Sequence, residues 1–214
     1  DRGCCDNICY SGVADIFRLP KFSLSFFRTQ IAEGSMLPSG KMPYEVFIPA
    51  YRDEILSDTV MVYGNVDEVE LVLNGKTIRR QTADKGPDSD YISVPNGGNG
   101  KNLHFPPFTF YGVPKERGVL KAVGYHQGKK VAEYTVKTPG GPERLDITYF
   151  ESGKPATKND LLIVYVRMLD KQGVLCPVNG IPVELSVQGG EIVGPTSYPC
   201  LLYTSPSPRD AHES

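Results

Sequence analysis

The sequence predicts a mainly β chain: β-sandwiches in tandem with one helix ahead of them. Three observations carry that expectation. Val69, Leu71 and Leu73 alternate with polar or outward neighbours and run into Asn74-Gly75, the two-residue signal for a hairpin whose turn needs positive φ twice. At least six strand-like segments crowd into residues 43–138, with turn residues between them, as in an immunoglobulin-like sandwich. A Thr138-Pro139-Gly140-Gly141-Pro142 connector then precedes more strand-like sequence, so a second module follows the first.

Taken in order, residues 1–19 read as a loop. Pro20 suits the first turn of a helix, where a missing N–H costs nothing. Phe22, Phe26, Phe27 and Ile31 then fall at helical spacing, beside Leu24, and Gly34 suits a stop. The predicted helix spans 20–32. A helix of about 13 residues is marginal alone in water, and its aromatic face is expected to need a partner outside this chain.

The expected strands of the first sandwich (43–138) are Tyr44–Ala50, Thr59–Asn65, Glu68–Leu73, a strand from Lys76, Phe108–Phe110, Val119–Tyr125 and Lys130–Val136, with Gln127-Gly128 turning the last hairpin. Residues 84–104, rich in Asp, Gly, Asn and Ser, read as a long loop. The second module (142–198) offers Arg144–Phe150, Asp160–Leu169, Ile181–Val187 and a short Glu191–Val193, with Asp170-Lys171-Gln172-Gly173 as a turn. That is roughly half of an immunoglobulin-like sandwich. Residues 199–214 lack apolar periodicity and are expected to be a disordered, artefactual tail; Cys200 to Asp210 resembles a translated sequencing adapter. With Asp at residue 1, the chain reads as a piece of a larger protein.

Composition excludes several functions. The chain has 214 residues and a formal net charge of −2, which gives no electrostatic reason to expect nucleic acid as a partner. The longest apolar run, Leu161–Val166, is far short of the roughly 20 residues of a membrane span. Five cysteines, three of them within the first nine residues (Cys4, Cys5 and Cys9), make no disulfide framework and lack a second pair or a nearby His for zinc. His104, His126 and His212 are not at ligand spacing. No nucleophile elbow, phosphate loop or dinucleotide fingerprint is present, and Gly97-Gly98-Asn99-Gly100 has no helix after it to hold an anion. No cofactor and no metal is expected.

Carboxylate pairs can hydrolyse glycosides. Glu68 and Glu70 are expected on the solvent face, opposite Val69 and Leu71, and Asp67 beside them reads the same way. Asp6 and Asp15 in the opening loop are better candidates for substrate contact, because they precede a helix that looks orphaned.

Three motifs in order resemble glycoside hydrolase family 2, the β-galactosidase and β-glucuronidase group. Residues 12–30 (GVADIFRLPKFSLSFFRTQ) are similar to the family pattern G-x-x-D-x-F-R-x-P-K-x-x-x-x-F-F-x-x-Q, at the end of the catalytic barrel. Residues 60–76 (VMVYGNVDEVELVLNGK) resemble V-x-V-Y-S-N-x-D-E-V-E-L-F-L-N-G-K of the following sandwich, and residues 118–125 (GVLKAVGY) resemble G-x-L-K-A-V-A-Y. Gly190 to Gly194 fits a bacterial immunoglobulin-like domain. Gly64 stands where the pattern has Ser, a change expected to be harmless.

The resemblance implies that residues 1–37 are the loop and last helix of a (β/α)8 barrel. It implies a retaining exoglycosidase with two glutamates about 5 Å apart, both upstream of residue 1, so that no catalytic residue is expected here. Asp6 and Asp15 would then edge the cleft, the partners being the catalytic barrel in cis and the oligosaccharide substrate of the whole enzyme. A periplasmic or secreted location is implied by the resemblance alone. The alternative is a tandem β-sandwich adhesin or carbohydrate-binding module, with Tyr91, Phe105 and Tyr111 as candidate stacking platforms.

Overall fold

The computed structural model describes residues 12–14, 19–50, 58–84, 103–149, 161–177 and 181–193, and the backbone of 197–199. Two compact units divide the chain, Asp1–Thr138 and Pro139–Ser214.

In the first unit, helix α1 (Phe22–Arg28) leads into a small hairpin, β1 (Met36–Leu37) with β2 (Gly40–Lys41). Seven strands follow: β3 (Val46–Phe47), β4 (Val60–Gly64), β5 (Glu68–Leu73), β6 (Lys76–Thr82), β7 (Phe108–Phe110), β8 (Val119–His126) and β9 (Lys129–Lys137). They form two antiparallel sheets, ordered β3-β4-β7 and β6-β5-β8-β9. Strands β4 and β5 are consecutive but lie on different sheets, as do β6 and β7, which gives the sandwich its immunoglobulin-like layering.

The core follows from period two. Along β5, Val69, Leu71 and Leu73 point inward and are buried, while Glu68, Glu70 and Val72 are partly exposed. Val60 and Val62 of β4, Phe108 and Phe110 of β7, and Leu120 and Ala122 of β8 meet them. Each such side chain fully withdrawn from water contributes roughly 1.5–3 kcal/mol, so this single layer of apolar contact is what holds the two sheets together.

Turn chemistry fixes the registers. Asn74 (φ 50°) and Gly75 (φ 80°) make the predicted β5–β6 turn, and Gln127 (φ 50°) and Gly128 (φ 76°) the β8–β9 turn. Asn74 does more than turn the chain. Its Oδ1 accepts the Val119 N–H at 2.9 Å and its Nδ2 donates to the Arg117 carbonyl at 3.0 Å, which ties the hairpin to the start of β8. Asn74→Ala is expected to cost about 1 kcal/mol through lost bonds and left-handed strain, read as a lower urea midpoint with unchanged slope.

One margin of the sandwich is closed by side chains. Among the described residues, strand β7 pairs with β4 alone. The outward Thr109 N–H donates to Asp84 Oδ1 at 3.2 Å, and the Thr109 carbonyl accepts Gln81 Nε2 at 2.9 Å. Thr109 Oγ1 donates to Asp84 Oδ2 at 2.5 Å, and Arg79 donates to the Tyr111 carbonyl at 3.2 Å.

The helix departs from expectation in length and in partner. Pro20 does not open it; residue 20 forms a bridge with Ala14, and the helix starts after an extended Lys21. It ends at Arg28, where Thr29 Oγ1 turns back to the Phe26 carbonyl at 2.7 Å. Its aromatic face does not wait wholly for an outside partner. Phe22 packs edge-on against Phe47 of β3 (5.6 Å between centroids) and Phe26 against Tyr63 of β4 (4.9 Å).

In the second unit, β10 (Arg144–Tyr149) pairs antiparallel with β11 (Val164–Leu169), and β12 (Pro182–Glu184) with β13 (Ser197–Pro199). The strands are shorter than expected. Leu161 to Ile163 carry no strand, and Glu191 to Val193 are not a strand at all. Gly189 at φ 78° turns the chain just before them and Val193 is left 80% exposed; among the described residues no strand pairs with them, and apolar composition alone does not make a strand. Strand β13 runs one residue into the segment predicted to be tail; residues 200–214 lie outside the described residues, as does most of the 84–104 loop. Leu145, Ile147 and Tyr149 share one face of β10 and are all exposed.

Candidate functional site

The feature of the first unit that bears most on function is the seam between α1 and the sandwich. It is built by residues 28–45, which run from the helix end to β3. Arg28 pairs with Glu45 through both its Nε and a terminal nitrogen, and that hydrogen bond holds the guanidinium pKa above its usual value despite opposing desolvation. Gln30 grips the backbone of Phe105 from both sides: Nε2 donates to its carbonyl at 2.9 Å, and Oε1 accepts its N–H at 3.1 Å.

Asn65 is the centre of the seam. It sits at the end of β4, only 3% exposed. Its Oδ1 accepts the Glu45 N–H at 2.6 Å, and its Nδ2 donates to the carbonyls of Ile31 and Pro43, both at 3.0 Å. The Asn65 N–H itself donates to the Glu45 carbonyl at 3.2 Å. One buried amide thus satisfies three backbone groups from three places in the seam, as burial of polar groups requires. The ring of Tyr44 stacks on His126 at 4.9 Å, and His126 Nδ1 lies 3.1 Å from Asp67. Desolvation, with the charges of Glu33 and Asp67, pushes the Tyr44 phenol up.

Beyond the seam, Val13, Leu19, Phe27 and Met36 stay exposed, Phe27 at 56% and Met36 at 73%. Val13 and Leu19 precede the helix in sequence, Phe27 lies on it and Met36 belongs to β1.

Several carboxylates among the described residues serve structure. Glu68 pairs with Arg80, whose guanidinium lies over the Tyr125 ring at 3.7 Å from its centroid. Glu70 accepts Thr77 Oγ1 at 2.7 Å and Tyr125 Oη at 2.6 Å; these two bonds hold its carboxyl below the usual range and push the Tyr125 phenol up. Asp67 accepts the Gln127 N–H at 2.8 Å. Glu68 and Glu70 lie on the outer face, opposite the fully buried Val69 and Leu71. Among the described residues no group of three His, Cys, Asp or Glu is placed to hold a metal ion, and no helix is long and apolar enough to cross a membrane.

Asp6 and Asp15 lie outside the described residues, as do Tyr91, His212, Cys4, Cys5, Cys9, Cys200 and the Gly97–Gly100 run. His104 is exposed, with its ring 4.4 Å from Phe105. Phe105 is half-buried, and Tyr111 is 40% exposed. Cys176 is a buried free thiol whose pKa burial raises. Sequence reasoning passed over Asn65 and Gln30; an Asn closing an apolar strand is the one signal that pointed to the first.

A family described as a domain of unknown function (DUF4982) matches residues 57–132, the span from β4 into β9. A β-galactosidase of Thermoanaerobacter pseudethanolicus is 33% identical over 201 residues, covering 88% of this chain and 25% of the relative. A β-galactosidase of Bacteroides ovatus is 29% identical over 186 residues, covering 86% and 19%. Among solved structures, a β-glucuronidase from glycoside hydrolase family 2 superposes with a TM-score of 0.65 at 23% identity, over 84% of this chain and 16% of that one. A β-glycosidase from Bacteroides vulgatus gives 0.57 at 18% identity, over 83% and 19%. At those identities the two structures speak to the fold alone. The chain spans a quarter or less of these curated relatives.

Proposed function

Because the chain belongs with the β-galactosidase-like proteins of glycoside hydrolase family 2, we propose that it is a non-catalytic C-terminal segment of a retaining glycoside hydrolase. The whole enzyme would hydrolyse terminal β-glycosides. The observation that carries this reading is the identity to a β-galactosidase across 88% of this chain but only 25% of the relative. Five described carboxylates support it, since Glu68, Glu70, Asp67, Glu133 and Asp146 are each engaged with a neighbour within the fold, whereas a glycosidase needs an acid and a nucleophile facing a sugar.

In this reading the segment is a buttress. The catalytic barrel in cis lies against the exposed Val13–Leu19–Phe27 rim of α1, and the Asn65 seam holds that helix to the sandwich. Asp6 and Asp15, in the loop before the helix, are proposed to edge the cleft that takes the oligosaccharide.

The purified 214-residue chain is expected to show no turnover of aryl β-galactosides or aryl β-glucuronides above a buffer blank, at enzyme concentrations where a whole family member clears the substrate in minutes. Turnover that co-purifies with the chain and is abolished by unfolding it overturns the reading. Turnover by the isolated chain would also require an acid–nucleophile pair within these residues, which carboxylate substitutions would locate.

A further inference from the structure

The turn between β5 and β6 holds a chemically labile pair. In Asn74-Gly75 the asparagine amide is followed by a nitrogen with no Cβ beside it to hinder attack. A Cβ built on Gly75 meets nothing within 4 Å, so the turn is open around it. Both residues are exposed and in reach of water. Burial does not protect them.

The reaction joins the two neighbours. The Gly75 nitrogen gives its proton to hydroxide and attacks Asn74 Cγ. A C–N bond forms, the Cγ–Nδ2 bond breaks, and Nδ2 leaves as ammonia after taking a proton from water. Water then opens the five-membered imide at one of its two carbonyls, which leaves aspartate or isoaspartate at position 74. The net change is one water in and one ammonia out, with no oxidation or reduction. Ring closure needs the side chain folded back on the 74–75 peptide, with the reacting atoms roughly 3–3.5 Å apart.

The fold spends that side chain elsewhere. Asn74 Oδ1 accepts the Val119 N–H at 2.9 Å, and Nδ2 donates to the Arg117 carbonyl at 3.0 Å. The Asn74 N–H donates to the Val119 carbonyl at 2.8 Å. Backbone and side chain of one residue are thus bound to the same three-residue stretch. Gly118 lies at its centre, at φ 134°. A Cβ on Gly118 would fall 1.9 Å from Asn74 Oδ1 and 2.7 Å from its Cγ, so the amide occupies the place of the missing side chain. Gly118 is itself fixed by Thr138, whose N–H donates to the Gly118 carbonyl at 2.8 Å and whose Oγ1 accepts the Gly118 N–H at 3.0 Å. Closing the imide ring pulls the amide off Val119 and Arg117 together.

We propose that Asn74 is a latent hydrolysis site, kept intact in the folded module by the 117–119 stretch and converted to aspartate or isoaspartate when the β5–β6 turn opens. The conversion runs one way. Isoaspartate adds a methylene to the main chain of a turn whose φ values set the register. Aspartate replaces the donor to the Arg117 carbonyl with an anionic oxygen. Either product marks a molecule whose turn has opened.

Peptide mapping by mass spectrometry on the 214-residue chain, held at mildly alkaline pH, tests the site. Conversion at Asn74 is expected to be about tenfold or more slower in buffer than in the same chain unfolded in guanidinium chloride. Equal rates overturn the proposal. Gly118→Ala drives a Cβ into the place of the amide. It is expected to raise conversion in buffer about tenfold, with the circular dichroism spectrum and the rate in guanidinium unchanged. An unchanged rate in buffer, in a folded variant, overturns the shield. If that variant does not fold, the parent chain decides. Below the unfolding midpoint, conversion at Asn74 is expected to follow hydrogen exchange at the Val119 amide as guanidinium is raised. Conversion that does not follow Val119 exchange overturns the proposal.

Discussion

Asn65→Ala is expected to destabilise the first module by about 3 kcal/mol, because three bonds end on one buried amide and each partner left unsatisfied costs about 1–3 kcal/mol before relaxation. The groups orphaned are the Glu45 N–H and the Ile31 and Pro43 carbonyls. Water admitted to the seam recovers part of the loss, which is why the figure stays near the cost of one to two full bonds. The chain has no tryptophan and 12 tyrosines, so urea unfolding is best followed by tyrosine fluorescence or circular dichroism. Asn65→Asp sharpens the test. The acid keeps the acceptor for Glu45 N–H but turns a donor into an oxygen facing two carbonyls. It should cost more than Ala does. If Asp is tolerated and Ala is not, the residue acts by filling space, and the bonding account fails.

Gly124→Ala is expected to cost about 2 kcal/mol by overpacking. A Cβ there would lie 2.7 Å from Val46 Cγ1 and 3.1 Å from Val66 Cγ1, and β8 is paired on both sides, with β5 and β9, at that residue. Val46→Ala should remove the obstruction, so the double variant is expected to be more stable than the sum of the two single losses by about 1 kcal/mol. Gly64→Ser makes the contrast. Its Cβ would meet Val46 Cγ1 at 2.9 Å but also the Glu45 backbone carbonyl at 2.9 Å, and Glu45 is held in place by Asn65. Trimming Val46 should not rescue it. Strict additivity for Gly124→Ala with Val46→Ala, in urea unfolding, sinks the explanation.

That pair of glycines also shows where reading the sequence stopped. Gly64 replaces Ser of the family pattern, and was expected to be harmless; in this fold it is required as long as residues 45 and 46 sit where they do. Gly124 stands where the same pattern has Ala. The two are 60 positions apart, yet a single methyl of Val46 occupies the space that either Cβ would need. No local pattern carries that information. By contrast, Val69, Leu71, Leu73 and the Asn74-Gly75 turn were legible because alternation and positive φ are set by neighbours in sequence.

The helix was half legible. Phe22 and Phe26 do form one apolar stripe, but periodicity cannot say whether a stripe is covered by the same chain. It also overran the ends, since Pro20 is used in a bridge and Thr29 closes the helix with its own hydroxyl. The seam was illegible for a different reason. Asn65 joins backbone at 31, 43 and 45, and carbonyls have no sequence identity to read. For the candidate site proper, Asp6 and Asp15 remain a proposal tied to the whole enzyme, whereas the anchoring residues follow from hydrogen bonds in the fold.

The side-chain seal along β7 has a consequence for how such proteins are made. A ribosome releases tandem sandwiches one after another, and each nascent module spends time beside the bare margin of its finished neighbour. An open three-residue strand there would recruit the wrong partner and seed a swapped or fibrillar assembly. With Thr109 already spoken for by Asp84 and Gln81, the middle of this strand has its outward backbone donor and acceptor occupied before any other strand could pair there.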